Sequence, residues 1–156
     1  MLEIDIPGFG FVRLEHLVSD FTGTLSVDGR LLPGVKETLN NVARIVKVHI
    51  LTADTFGSAR TACAGVDCSL SVLSGEIIDI QKERYVRELG AESVIAVGNG
   101  NNDRKMLTAA RIGVAVIEGE GCSVNAILSA GICVRSIHDA LGLLLSPDRI
   151  RATLRL

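Results

Sequence analysis

Tryptophan is absent from this 156-residue chain, and aromatic residues of every kind make up only 3% of it. A close-packed core must therefore be built from aliphatic side chains, and hydrophobic residues do reach 47%. Proline is scarce as well, with 3 residues, so no stretch reads as a proline-rich linker. There is no block of basic residues, and a net charge of -2 removes the footprint expected of a nucleic-acid surface. No apolar run approaches a membrane span and the N-terminus lacks a charged-then-apolar leader, so the expectation is a cytoplasmic protein without a membrane segment. The 4 cysteines, Cys63, Cys68, Cys122 and Cys133, form no C-x-x-C pair and read as buried free thiols in a reducing compartment. Positive mean hydropathy with so few aromatics points to an apolar surface patch, hence to a homo-oligomer. The length suits one domain, residues 1–156, able to bury a real core.

What the chain does have is a segment on which the rest is organised, Val18-Ser19-Asp20-Phe21-Thr22-Gly23-Thr24-Leu25. An apolar run ends in a carboxylate, and two threonines and a glycine then turn the backbone. That order reads as a buried strand delivering Asp20 at its C-terminal edge, where open α/β sheets hold ligands. An aspartate there can ligate a metal, act as a nucleophile or cap a helix. Three further stretches keep it company: Thr52-Ala53-Asp54 after an apolar strand, Lys82, and Gly98-Asn99-Gly100-Asn101-Asn102-Asp103. Lys82 lies four residues before Val86 and seven before Leu89, so it shares a helical face with apolar side chains. An inward ammonium is costly unless an anion meets it. Thr52 alone reads equally well as a strand-end cap, and His49, inside its strand, reads as structural or solvated rather than catalytic.

These motifs, in this order, resemble the haloacid dehalogenase superfamily across roughly residues 12 to 135. The first, D-x-T-G-T-L, is similar to the phosphorylation sequence of P-type ATPases rather than to the D-x-D-x-T of most phosphatases of that superfamily. Thr52 resembles the second motif, Lys82 the third and GNGNND the fourth. The resemblance implies a Mg²⁺-dependent phosphohydrolase for a small phosphorylated substrate, with Asp20 as nucleophile forming an aspartyl-phosphate. It implies metal ligation by Asp20, the Thr22 carbonyl, Asn99 and Asp103, and phosphate contacts from Thr52, Ala53, Lys82 and Asn102. Asp54 matches a position near nucleotide handling in P-type ATPases, or else caps a helix. A phospho-regulated binding module and a soluble ATP hydrolase are the alternatives.

Two departures from the family pattern carry consequences. Asn99 stands where the family usually has aspartate, so one negative charge near the metal is missing. Thr22 stands where most phosphatases of the family place a second aspartate. Its hydroxyl cannot serve as general acid and base, a contribution of about two to four orders of magnitude, so slow turnover is expected.

Strand and helix patterns alternate along the chain, which predicts a mostly parallel sheet covered on both faces, a Rossmann-like three-layer α/β sandwich. Residues 2–18 read as a hairpin whose second arm becomes the central strand. Asp28-Gly29 predicts a second hairpin at about residues 25–32, resembling the family's flap, and no stretch is long enough for a cap domain. Asn101 or Asn102 is expected to cap the helix that follows. A final helix carries Arg149, Arg151 and Arg155 on what reads as a solvated face.

Overall fold

The computed structural model describes residues 1–53 and 57–156, so Asp54 lies outside the described residues. Ten strands and seven helices follow one another in the described chain: β1 (Leu2–Ile6), β2 (Gly10–Leu14), β3 (His16–Asp20), β4 (Ser26–Val27), β5 (Arg30–Leu31), α1 (Val35–Ala43), β6 (Lys47–Thr52), α2 (Ser58–Ala62), β7 (Ser69–Val72), α3 (Ile78–Glu88), β8 (Val94–Gly98), α4 (Arg104–Ala109), β9 (Ile112–Val116), α5 (Val124–Ser129), β10 (Ile132–Val134), α6 (Ile137–Leu145) and α7 (Asp148–Leu154). Six of the strands form one sheet in the order β10-β9-β8-β3-β6-β7, every pairing parallel. This is the α/β layered fold that the alternation predicts.

The two faces of the sheet are read off successive residues of its strands. Leu17, Ile50 and Ile95 join a core with α1 and α6, while their neighbours Val18, Leu51 and Ala96 join a second core with α3 and α4. A strand covered on both sides must be apolar at every position, and β3, β8 and β9 are buried throughout. β3 lies at the centre, and the chain moves from it to β6 on one side and to β8 on the other. The C-terminal end of β3 is thus the point where strand order reverses, and Asp20 stands there.

The N-terminal hairpin forms, but its second arm is not the central strand. β1 and β2 make their own antiparallel sheet with Leu2 opposite Leu14, and the chain changes partners at Glu15. Glu15 donates its N–H to the Ser93 carbonyl and accepts from the Lys47 amide, after which β3 runs parallel to β6 and β8. The second hairpin forms as expected: Ser26 pairs with Leu31 around Asp28 and Gly29, both with positive φ (51° and 75°), the geometry a two-residue turn needs. The thiols differ from expectation, since only Cys63 is buried and Cys133 is exposed; none is in a disulfide. The basic C-terminal helix is not merely solvated, because Arg151 Nε donates to the Asp5 carbonyl at 3.0 Å and ties α7 to β1.

α4 approaches β9 so closely that only glycine fits at 113, where a Cβ would stand 2.3 Å from the Leu107 carbonyl oxygen. Gly113→Ala is expected to destabilise the fold by about 1–3 kcal/mol, the usual range for overpacking. Urea unfolding checks it: a lower midpoint is expected, and an unchanged midpoint would contradict the packing described.

Candidate active site

The turn after β3 is wound around one carbonyl. Phe21 O accepts the backbone N–H groups of Thr24, Leu25 and Ser26 at 3.3, 3.0 and 3.2 Å, and the Ser26 hydroxyl at 3.1 Å. Gly23 makes the turn possible with φ +77°, and a Cβ there would sit 2.5 Å from Asn99 Nδ2. The first motif therefore folds directly against the fourth.

On the other side, α3 points Lys82 into the sheet edge with its side chain only 1% exposed. Its Nζ lies 2.6 Å from Asp20 Oδ1, 2.7 Å from Asp103 Oδ1 and 3.5 Å from Asn102 Oδ1. The anion expected to meet this ammonium is thus a pair of carboxylates on two different strand ends. Asp103 Oδ2 accepts the N–H groups of Asn99 and Gly100 at 3.0 and 2.9 Å and so closes the turn after β8. A Cβ at Gly98 would lie 2.6 Å from that carboxyl group, so glycine is required there. The expected cap from Asn101 or Asn102 is not formed: α4 begins at Arg104 with Asp103 as its N-cap residue and no side-chain cap, behind a short 3₁₀ turn over Asn101–Asp103. The carboxylate at the end of that turn holds the amides instead.

Thr24 completes the contact between the motifs. Its buried hydroxyl lies 3.3 Å from Asp20 Oδ2 and 3.1 Å from Asn99 Oδ1. Asn99 Nδ2 donates to the Gly121 carbonyl at 3.0 Å, which fixes the amide with its oxygen toward the Thr24 hydroxyl. Sequence reasoning gave Thr24 only a turn-making role. Its signal was present in the fifth position of DFTGT, but the partner lies 75 residues away. Thr52 is fully buried at the end of β6, one residue past Leu51, the register partner of Asp20. Ala53 follows it on the exposed rim. Thr22 is exposed and bridges to Ser26 at the start of the small hairpin. Hence Asp20, Lys82, Asn99, Asn102 and Asp103 converge by direct contacts, with Thr52 and Ala53 on the adjoining strand end.

Two carboxylates share one ammonium, so a net negative charge is buried. Burial, then the charge of Asp103, pushes the Asp20 carboxyl up to about 7, against the pull of Lys82 and the Phe21 N–H. Burial alone lowers an ammonium, but Asp20 and Asp103 overcome it and hold Lys82 above its ordinary range. The described residues hold no group of three His, Cys, Asp or Glu side chains that could bind a metal. A cation here would instead meet carboxylate, amide and carbonyl oxygens, a donor set that suits Mg²⁺, which commonly uses one or two carboxylates and retains waters.

Comparison with known proteins accords with this geometry. No family model matches the chain. An uncharacterised protein of Methanocaldococcus jannaschii is 45% identical over 80 residues, which are 49% of this chain and 86% of that one. A probable copper-exporting P-type ATPase of Archaeoglobus fulgidus is 30% identical over 105 residues, 66% of this chain but only 13% of the pump. Among solved structures, the 3-deoxy-D-manno-octulosonate 8-phosphate phosphatase of Moraxella catarrhalis, in complex with magnesium, phosphate and its sugar, superposes with a TM-score of 0.70. That match covers 91% of this chain and 94% of the phosphatase at 14% identity, so it is a likeness of fold. The chain has the fold of haloacid dehalogenase-superfamily hydrolases. The chain spans only a small part of that pump, and among the described residues no helix is long and apolar enough to cross a membrane. In this chain the four motif segments sit at the ends of β3, β6 and β8 and on α3.

Lys82→Met removes the one cation between Asp20 and Asp103 and is expected to cost about 3–5 kcal/mol at pH 8. The stranded Asp20 carboxylate takes up its proton in the folded state at higher pH than in the unfolded chain, so the loss should shrink as pH falls to 5. Urea titrations at both pH values check this; a loss as large at pH 5 as at pH 8 would contradict it.

Proposed function

We propose that this chain is a Mg²⁺-dependent phosphohydrolase acting on small phosphomonoesters through an aspartyl-phosphate on Asp20. The observation that carries this reading is the convergence of Asp20, Lys82 and Asp103 at the switch point of a parallel sheet, with Lys82 2.6 and 2.7 Å from the two carboxylates. A carboxylate oxygen of Asp20 attacks phosphorus and the ester oxygen leaves with the substrate's electron pair, taking its proton from water. Water then cleaves the acyl phosphate to inorganic phosphate and regenerates the carboxylate. Thr22 offers no group for either proton transfer, which supports slow turnover and a preference for good leaving groups.

Lys82 is placed to neutralise both the nucleophile and the equatorial phosphoryl oxygens, the stabilisation on which such transfer chiefly depends. Thr52, Ala53 and Asn102 are assigned to the phosphoryl group. Asp20, the Thr22 carbonyl and Asn99 Oδ1 are assigned to Mg²⁺. Asp103, whose Oδ2 already serves two amides, would complete the set that holds the metal or its waters. When bound, Mg²⁺ would supply positive charge to offset the buried negative charge beside the incoming phosphoryl group. The β4–β5 hairpin is the flap, tied at its tip to the loop that orients Asn99: the Asp28 N–H donates to Glu120 at 3.2 Å. Exposed Ile77, Ile80, Val124 and Leu128 support self-association.

Phosphate release from a panel of small phosphomonoesters and ATP, with and without Mg²⁺, tests the reading. The wild type should release phosphate only with the metal, and Asp20→Asn should reduce release to background. Full activity in Asp20→Asn would end the nucleophile assignment, and hydrolysis of ATP alone would favour an ATP hydrolase. Asn99→Asp restores a negative charge beside the metal position. Calorimetric titration should then show Mg²⁺ binding at least several-fold tighter, and unaltered binding would remove Asn99 from the ligand set.

A further inference from the structure

Two buried histidines take no part in the proposed chemistry, yet they connect its elements. His16 and His49 are 9% and 7% exposed. His16 Nδ1 lies 3.0 Å from His49 Nε2, and His49 Nδ1 lies 2.9 Å from the Tyr85 hydroxyl. The tyrosine ring meets His49 edge-on at 67°, with centroids 5.6 Å apart. His16 opens the strand that Asp20 closes, four residues on. His49 precedes Thr52 by three residues on β6, and Tyr85 follows Lys82 by three on α3. One hydrogen-bonded chain therefore runs across the same three elements that deliver nucleophile, phosphoryl-binding hydroxyl and ammonium.

We propose that His16, His49 and Tyr85 form a positioning relay that holds β3, β6 and α3 in register beneath the active site and that admits only one proton while it does so. A neutral imidazole carries one N–H, so a single proton lies between the two facing ring nitrogens. One added proton leaves that hydrogen bond intact, since His49 can donate from both nitrogens, to His16 and to Tyr85. A second sets N–H against N–H and two cations side by side at 3.0 Å. The contact must then open, and one of the ties that hold α3, with Lys82 one turn from Tyr85, against the sheet is loosened.

The surroundings oppose protonation as well. Burial, then Lys47, lowers His16, with Glu15 opposing. Burial, then His16 and Lys47, holds His49 down at about 4. The groups facing the pair are Lys47 from β6, Glu15 from the turn before β3 and Tyr85 from α3. Asp67 and Cys68, from the approach to β7, share with His49 the lining of a cavity of about 210 Å³. On the β8 side His16 meets Val94, which carries no charge.

The relay is tested in two arms, and only the second rests on the phosphatase reading. In the first, nitrogen NMR of ¹⁵N-histidine-labelled protein follows both rings from pH 8 downward. At most one proton should enter the pair before the fold opens, and as pH drops from 6.5 toward 4 the wild-type urea midpoint should fall relative to that of His49→Phe, in which Asp20 titrates as before, because the unfolded wild type takes protons that the folded pair refuses. Two independent midpoints near the ordinary histidine value of about 6.5 would overturn the proposal. In the second arm, Tyr85→Phe keeps the ring and deletes the hydroxyl. Per folded molecule it should lower kcat about three- to tenfold, the scale of a slight misplacement, with KM nearly unchanged. His49→Phe should give a similar loss, and the double variant should lose no more than the larger single loss. A wild-type kcat in Tyr85→Phe, or a change confined to KM, overturns the positioning role. If the wild type turns over no phosphomonoester, the proposed function fails, while the NMR arm still decides the relay.

Discussion

The ammonium of Lys82, buried between Asp20 and Asp103, is the interaction on which the rest of this structure depends. Such a charge cannot be placed in a protein interior alone, and the two carboxylates that meet it cannot face each other without it. Three separate elements are thereby locked to one point: the end of β3, the first turns of α3 and the turn after β8. The aliphatic sheet supplies the rigidity that this demands. β3 is buried at every residue and flanked on both sides by parallel partners, so the backbone that presents Asp20 has little freedom to move.

The same arrangement leaves the site with one negative charge too many. Asn99 limits that excess: a third carboxylate at this position would have added to a cluster already strained enough to raise Asp20 to about 7. In its place is a neutral oxygen whose direction is set by hydrogen bonds to Thr24 and to the Gly121 carbonyl. The departure from the usual family pattern is therefore not a gap in the site. It is an oriented dipole where a charge is customary, and it couples Thr24, beside Asp20, to the loop that also contacts the β4–β5 hairpin through Glu120.

Much of this was legible in the residues because each piece announces itself locally. A carboxylate ending an apolar run, an Asp-Gly between short β patterns, and a lysine on the apolar face of a helix all have short-range signatures, and all three form as expected. What stayed hidden depends on partners far along the chain. The break at Glu15 is invisible in composition, since β2 and β3 are both apolar-rich; only the change from alternating to continuous burial marks the transfer between sheets. Asp103 clasping backbone amides, Thr24 touching Asn99, and the bond from His49 to Tyr85 join residues whose pairing no periodicity predicts. The expectation of four buried thiols failed for a related reason, because small apolar surroundings in sequence do not say which side of a helix or edge strand faces water.

The central claim is that the carboxylate of Asp20 itself receives the phosphoryl group. Borohydride reduces an acyl phosphate to an alcohol, so protein quenched with it during turnover of a phosphomonoester with Mg²⁺ should yield a homoserine at position 20, read by peptide mass. The account predicts that product in the wild type and not in the metal-free control. Reduction at Asp103 or another carboxylate, with Asp20 left intact, would contradict it.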